Sequence, residues 1–269
     1  MPQPEFTGGI IGIMGDPKTC KTTWLLTAPT PILHIDLDNG IARAIGTFKG
    51  TYNQLPINHT VTAPDLAGFD LISIPFQFPV QWPGQKTQNH TMIANLIDTI
   101  FKVVCEVPWI ASVAVDTGTV LWPTLHNAHL ESLQLKNSNR ESLIPVEYGP
   151  VNTKMRSYFT NVIHSGKNLI ISHHIRDVRQ EVIVKDKVVE QKIGETWDGW
   201  SKLEGLVDVL IRTRVENRAV NQKGQMVSKA FPYIEVVRCG WSLDAVGQRV
   251  DDFSFDGLLK FVNQKRKEQ

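Results

Sequence analysis

The stretch that most constrains this chain is "IIGIMGDPKTCKTTWLL", residues 10–26: an apolar run, then Gly15, then Lys21 followed by two threonines. The run "GIIGIM" (9–14) reads as a buried strand, and "KTTWLLTA" (21–28) reads as a helix stopped by Pro29 and Pro31. A turn between strand and helix aims backbone N–H groups outward and adds the partial positive charge of a helix N-terminus, which together make a cradle for phosphate. The cradle comprises Gly15, Asp16, Pro17, Lys18, Thr19, Cys20, Lys21, Thr22 and Thr23. Lys21 is placed to neutralise phosphate as a point charge, and Thr22 to give its hydroxyl to Mg²⁺. Pro17 stiffens the loop, while Lys18 faces either phosphate or solvent.

One letter departs from the pattern G-x-x-x-x-G-K-[ST]: Cys20 stands where the second glycine belongs. That glycine lets the backbone approach phosphate without a Cβ. Three readings follow. The favoured one is a rearranged loop in which Cys20 keeps a negative φ. The others are weakened nucleotide binding and a thiol made reactive by Lys21 and the helix start.

Four more apolar runs read as strands: "ILHIDL" (32–37), "FDLISI" (69–74), "IASVAVD" (110–116) and "NLIISHH" (168–174). Amphipathic spacing predicts helices over 91–106 and 151–166. Residues 180–193 alternate about a "KDK" turn, and 207–217 and 229–239 flank "QKGQ", so two hairpins are expected late in the chain. Strands alternating with amphipathic helices imply an α/β fold with a mainly parallel central sheet, helices on both faces and antiparallel hairpins extending the C-terminal edge. One domain over 1–269 is expected, with connections at 75–90, 134–149 and 175–200 and a charged tail at 263–269.

In open α/β sheets ligands sit beyond the carboxyl ends of the strands. Those ends carry Asp36 and Asp38, then Asp116, then His173, His174 and Arg176. Asp116 ends an apolar strand, where a carboxylate holds Mg²⁺ directly or through water. Each residue has a plainer reading alone: Asp116 as a cap, Asp38 as a stabiliser of the "DNG" turn, His174 as a hydrogen-bonded strand end. Together with the phosphate loop they form one constellation.

Composition narrows the function further. Three scattered cysteines with no C-x-x-C pair give neither a disulfide framework nor a zinc site. The N-terminus lacks the basic and apolar regions of a signal peptide, and no apolar run is long enough to span a membrane. A net charge of +1 confines any nucleic-acid contact to local patches.

In order, "GDPKTCKTT", "ILHIDLDNG", "ASVAVDTGT" and "NLIISHHIRDV" resemble the RecA-like P-loop ATPase core over most of residues 8–240. More narrowly, the chain resembles small phage-encoded RecA-like proteins, some of them single-strand annealing or recombination ATPases of the Sak group. The resemblance implies ATP and Mg²⁺ as ligands, single-stranded DNA as a partner, a homo-oligomer with nucleotide between subunits, and a location in the cytoplasm of a bacterial host.

It also implies roles. Asp38, two residues beyond the Asp that ends its strand, polarises the attacking water, although as Asp it is a methylene shorter than the usual Glu. His174 takes the place of a polar sensor, where glutamine is more usual. DNA would meet Lys136 and Arg140 in one segment and Arg176, Arg179, Lys185, Lys187 and Lys192 in another, with Trp197 and Trp200 stacking on bases. Acids in that second segment nearly cancel its charge. Arg238 is the candidate for a cation supplied in trans, with Arg212 and Arg214 as alternatives. Two rival functions stand beside hydrolysis on DNA: a nucleotide-gated DNA-binding module with little turnover, and a motor or loader acting on a protein.

Overall fold

The computed structural model describes residues 7–78, 89–136, 138–184, 187–222 and 225–268. In chain order the elements are β1 (Ile10–Met14), α1 (Lys21–Leu25), β2 (Ile32–Asp36), α2 (Ile41–Ala44), β3 (Tyr52–Gln54), β4 (Leu71–Pro75), α3 (Asn89–Glu106) and β5 (Ser112–Asp116). Then come α4 (Gly118–Gln134), α5 (Tyr148–His164), β6 (Asn168–His173), β7 (Ile175–Val184), β8 (Lys187–Trp197), β9 (Val209–Gln222), β10 (Gln225–Cys239), β11 (Arg249–Val250) and α6 (Phe255–Lys267).

Nine strands form one sheet in the order β11-β10-β9-β1-β6-β5-β2-β4-β3. From β9 through β3 every pairing is parallel, and β10 and β11 close the edge antiparallel. Successive side chains along a strand point to opposite faces, so both faces must be apolar for the strands to be buried. Leu33, Ile35, Val113, Val115, Leu169 and Ile171 pack under α3, α4 and α5. Ile11, Ile13, Ile32, Ala114 and Ile170 pack under α1, α2 and α6, where Trp24 and Phe255 are fully buried.

Several expectations are corrected. The helix after the phosphate loop is shorter than 21–28: α1 ends at Leu25, with turn bonds from Thr27 and Ala28 to Trp24 and Leu25. A helix not read from the sequence, α4, fills 118–134 despite Pro123, because Thr117 Oγ1 accepts the Thr119 N–H at its start and Leu121, Leu125 and Ala128 bury one stripe. The connection at 134–149 is partly helical, with a turn at Pro145–Glu147 leading into α5. The tail from 263 continues α6 to Lys267. Most of the expected loop at 75–90 lies outside the described residues.

The two hairpins part company. β9 and β10 extend the main sheet as expected, but β7 and β8 form their own two-stranded sheet. Both leave from the carboxyl ends of the strands on either side of β1. β7 follows the end of β6, and β9 continues past Arg212, the partner of Met14. Beyond that point the paired β9–β10 ribbon runs for ten further residue pairs, about 33 Å.

Candidate nucleotide and metal site

The loop between β1 and α1 lines a cleft of about 340 Å³. Pro17, Lys18, Thr19, Cys20, Lys21, Thr22 and Thr23 form one wall, and Asp38, Gly40, Arg43, Ala44, Asp116 and His174 the other. The carboxyl ends of β1, β2, β5 and β6 thus bring together the residues that the sequence placed on four separate strand ends.

Gly15 is packed too closely for any other residue, since an added Cβ would lie 2.3 Å from Thr213 Oγ1 and 2.5 Å from Thr19 Oγ1. Thr19 Oγ1 donates to Asp16 O at 2.7 Å, and Lys21 Nζ donates to Gly15 O at 2.8 Å and Asp16 O at 2.9 Å. These bonds hold the loop curled around the Lys21 ammonium. Burial pulls that ammonium below the usual lysine range, opposed by the charges of Asp116, Asp38 and Asp16.

Cys20 does not keep a negative φ. It sits in the left-handed region at φ 65°, as does Lys18 at φ 66°. The loop therefore keeps the backbone shape that glycine serves at this position, and bears a strain of order 1–3 kcal/mol at each such residue. The reactive-thiol reading is also corrected: burial pushes the Cys20 thiol up, away from thiolate.

Thr22 Oγ1 donates to Asp116 Oδ2 at 2.6 Å, and Ser172 Oγ donates to Asp116 Oδ1. Burial acts to raise the Asp116 carboxyl, but His34 and the two hydroxyls outweigh it and hold it below the usual range. Asp38 behaves oppositely. Its burial, with Asp116 and Asp36 close by, pushes its pKa up to about 6. Its Oδ2 lies 3.8 Å from His174 Nε2, and burial and Lys21 lower that imidazole. Asp38 Oδ1 is buried with no hydrogen-bond partner.

The donor set fits Mg²⁺. A Cβ on Gly40 would meet Asp116 Oδ2 at 2.7 Å, Thr22 Oγ1 at 2.8 Å and Asp38 Oδ1 at 3.0 Å, so three oxygens converge on the space that glycine leaves. Hard oxygen donors suit Mg²⁺, and the orphaned Asp38 oxygen faces the same space.

A family model described as an AAA domain matches residues 8–252. The chain belongs to the AAA domain family. The match covers the phosphate loop, all four strand ends and both hairpins, and supports a nucleotide-binding P-loop ATPase domain. Comparison with curated proteins gave no match. No helix among the described residues is long and apolar enough to cross a membrane.

Other expected site residues fall elsewhere. Arg238 lies beside Leu210, level with Gly12 in the middle of β1, and is paired with Glu204 at 3.2 Å rather than facing the cleft lining. Arg212 is nearer: its guanidinium reaches Asp16 at 3.7 Å and Glu195 at 2.5 Å. Arg214 pairs with Glu235 at 2.8 Å. Arg140 is tied to Glu147, and Arg179 to Asp177 and Glu190, whereas Lys136 and Arg176 are exposed. Lys185 lies outside the described residues, and only the backbone of Lys187 is described. Trp197 and Trp200 are core residues: Trp200 donates from Nε1 to Asn152 Oδ1 at 2.7 Å and packs on Trp122 and Phe159, so neither ring is free to stack on a base.

Sequence reasoning missed Gly40, Arg43 and His34. Gly40 is signalled only by the "DNG" turn, and Arg43 sits one helical turn beyond it. His34 owes its place to the register of three strands.

Proposed function

We propose that this AAA domain binds ATP with Mg²⁺, hydrolyses it, and couples that cycle to single-stranded DNA in phage-type recombination, annealing or replication. The convergence of Thr22, Asp116 and Asp38 oxygens at Gly40, against the Lys21 loop, carries the reading. Phosphates would lie along the N–H groups of 15–23, with Lys21 exchanging its loop carbonyls for phosphate oxygens. Thr22 and Asp116 would hold Mg²⁺, which would neutralise phosphate charge. Asp38 would orient and deprotonate the attacking water, and a carboxylate pKa near 6 suits a base working around neutrality. His174, beside Asp38, would register the terminal phosphate at the base of the β7–β8 hairpin.

Charge favours one DNA surface over another. Residues 175–197 carry five bases and five acids, whereas 214–233 carry four bases and one acid. On that second ribbon Arg218 and Lys229 lie over the Phe231 ring at 5.4 and 5.7 Å. Basic groups interleaved with aromatics suit single strands, so the reading places the main contact on β9–β10. Reversing Arg218 and Lys229 should then weaken oligonucleotide binding and flatten its salt dependence more than reversing Arg176 and Arg179.

Steady-state turnover with and without single-stranded DNA tests the whole reading. DNA-stimulated turnover lost in Lys21→Ala supports it. Binding without turnover favours the gated-module reading, to which the short Asp38 side chain lends weight. Turnover indifferent to DNA points to a protein partner.

A further inference from the structure

Polar side chains continue beneath the cleft. On the face of the sheet under α1, β2 presents Ile32, His34 and Asp36 in alternation, between Leu71 and Ser73 of β4 and Ala114 and Asp116 of β5. An aliphatic residue at 34 would extend the apolar layer of Ile32, Leu71 and Ala114 at no polar cost. His34 is instead fully buried, with Nδ1 3.0 Å from Ser73 Oγ and Nε2 3.9 Å from Asp116 Oδ2. Nε2 makes no hydrogen bond. A buried unpartnered polar atom is costly and calls for a reason.

We propose that His34 is a positioning residue for Asp116, holding the carboxylate that takes Mg²⁺. The inference rests on the Mg²⁺-nucleotide reading above. A bare ring nitrogen facing a buried carboxylate would be repelled, so the charge of Asp116 selects the tautomer with its proton on Nε2, and the Ser73 hydroxyl then donates to Nδ1. Asp116 is thereby held from behind and keeps one side open to the space beside Gly40. Ser172 binds Oδ1, while Thr22 and the His34 N–H flank Oδ2. The carboxylate cannot swing away from the cleft without losing these neighbours.

His34, Asp36 and Asp116 also bring ligand atoms within 4.8 Å of one another. They do not make a second metal site. Asp36 accepts the Gly40 N–H at 2.8 Å and the Ile41 N–H at 3.3 Å, which ties it to the turn that carries Asp38 and Gly40. His34 and Asp36 have no exposed surface through which an ion could enter.

The test is binding of a fluorescent ATP analogue to the full chain, with Mg²⁺ titrated and again in EDTA. His34→Leu should raise the Mg²⁺ needed for half-maximal tightening about tenfold, the usual effect of losing a ligand's outer partner, and leave affinity in EDTA unchanged. His34→Gln, whose amide N–H₂ reaches the place of Nε2, should keep the wild-type requirement. Ser73→Ala, which frees the tautomer, should shift it in the same direction by less. A purely structural His34 would lower thermal stability and leave the Mg²⁺ titration where it was. An unchanged requirement in folded His34→Leu, or in Ser73→Ala should the leucine variant fail to fold, overturns the proposal. Wild-type binding that ignores Mg²⁺ overturns the functional reading instead.

Discussion

Thr22 and Asp116 are 94 residues apart in the chain and joined by a 2.6 Å hydrogen bond from hydroxyl to carboxylate. That bond ties the first turn of α1 to the end of β5 across β6, the strand between β1 and β5. It places a hydroxyl and a carboxylate on one edge of the cleft before any cation arrives. Thr22→Val should raise the Mg²⁺ requirement for ATP binding by an order of magnitude or more, since it removes a ligand and leaves Asp116 Oδ2 short of a donor. Thr22→Ser should restore it. A calorimetric Mg²⁺-ATP titration that is the same for valine and threonine would remove Thr22 from the metal site.

Asp38 gives a prediction with a sign. Its carboxyl binds its proton more tightly in the folded protein, with a pKa near 6, than an ordinary aspartate does at 3.8. Below about pH 3 both states are largely protonated and the group costs almost nothing. As pH rises toward 6 the unfolded chain ionises first, so the folded state loses stability, and above 6 the loss levels off at about 2–3 kcal/mol at most. Asp38→Asn should therefore match wild type in thermal stability near pH 3 and exceed it by a few degrees at pH 7.5, measured in EDTA without nucleotide. The same variant should bind ATP normally and hydrolyse almost none. Undiminished turnover would show that Asp38 is not the base.

How much of this site was legible depends on what each residue answers to. The phosphate loop, Asp38, Asp116 and His174 stand at the ends of apolar runs, and a run followed by a polar residue is visible in the sequence. The core on both sheet faces was legible for the same reason. His34 was not, because its neighbours Ser73 and Asp116 come from strands whose register no local pattern specifies. Helix α4 was hidden by Pro123, which argues against a helix interior when read alone. Trp197 and Trp200 looked like exposed aromatics in a basic segment, yet Trp197 ends β8 against His173 and the chain after it carries Trp200 onto α4 and α5. The sign of φ at Cys20 was missed since it follows from the curl that Lys21 imposes through Gly15 O and Asp16 O.

Gly40 offers a steric test of the cleft. A methyl group there would press on Asp116 Oδ2, Thr22 Oγ1 and Asp38 Oδ1, all within 3.0 Å of an ideal Cβ. Gly40 has φ −72°, so alanine brings no backbone strain and the effect is confined to those oxygens. Gly40→Ala should lower Mg²⁺-dependent ATP affinity at least tenfold while changing the melting temperature by only a few degrees. Wild-type affinity would mean that the space beside Gly40, lined by Asp116 and Thr22, is not where the cation binds.

Cys20 provides the last. Its φ of 65° is already the one that the loop needs, so the missing glycine has changed the energy of the loop rather than its shape. Cys20→Gly relieves the strained left-handed residue but loosens the unfolded chain, and the two effects are of similar size, about 1 kcal/mol each. Stability should shift little, and turnover should stay within about twofold of wild type. Cys20→Val should behave very differently, because a β-branched residue is strongly disfavoured at positive φ. It should cost about 2 kcal/mol or more in denaturant unfolding and abolish ATP binding at concentrations that saturate wild type. A valine variant that binds normally would mean that the loop accommodates negative φ at position 20 after all, and a glycine variant with turnover raised tenfold would mean that the cysteine attenuates the native enzyme.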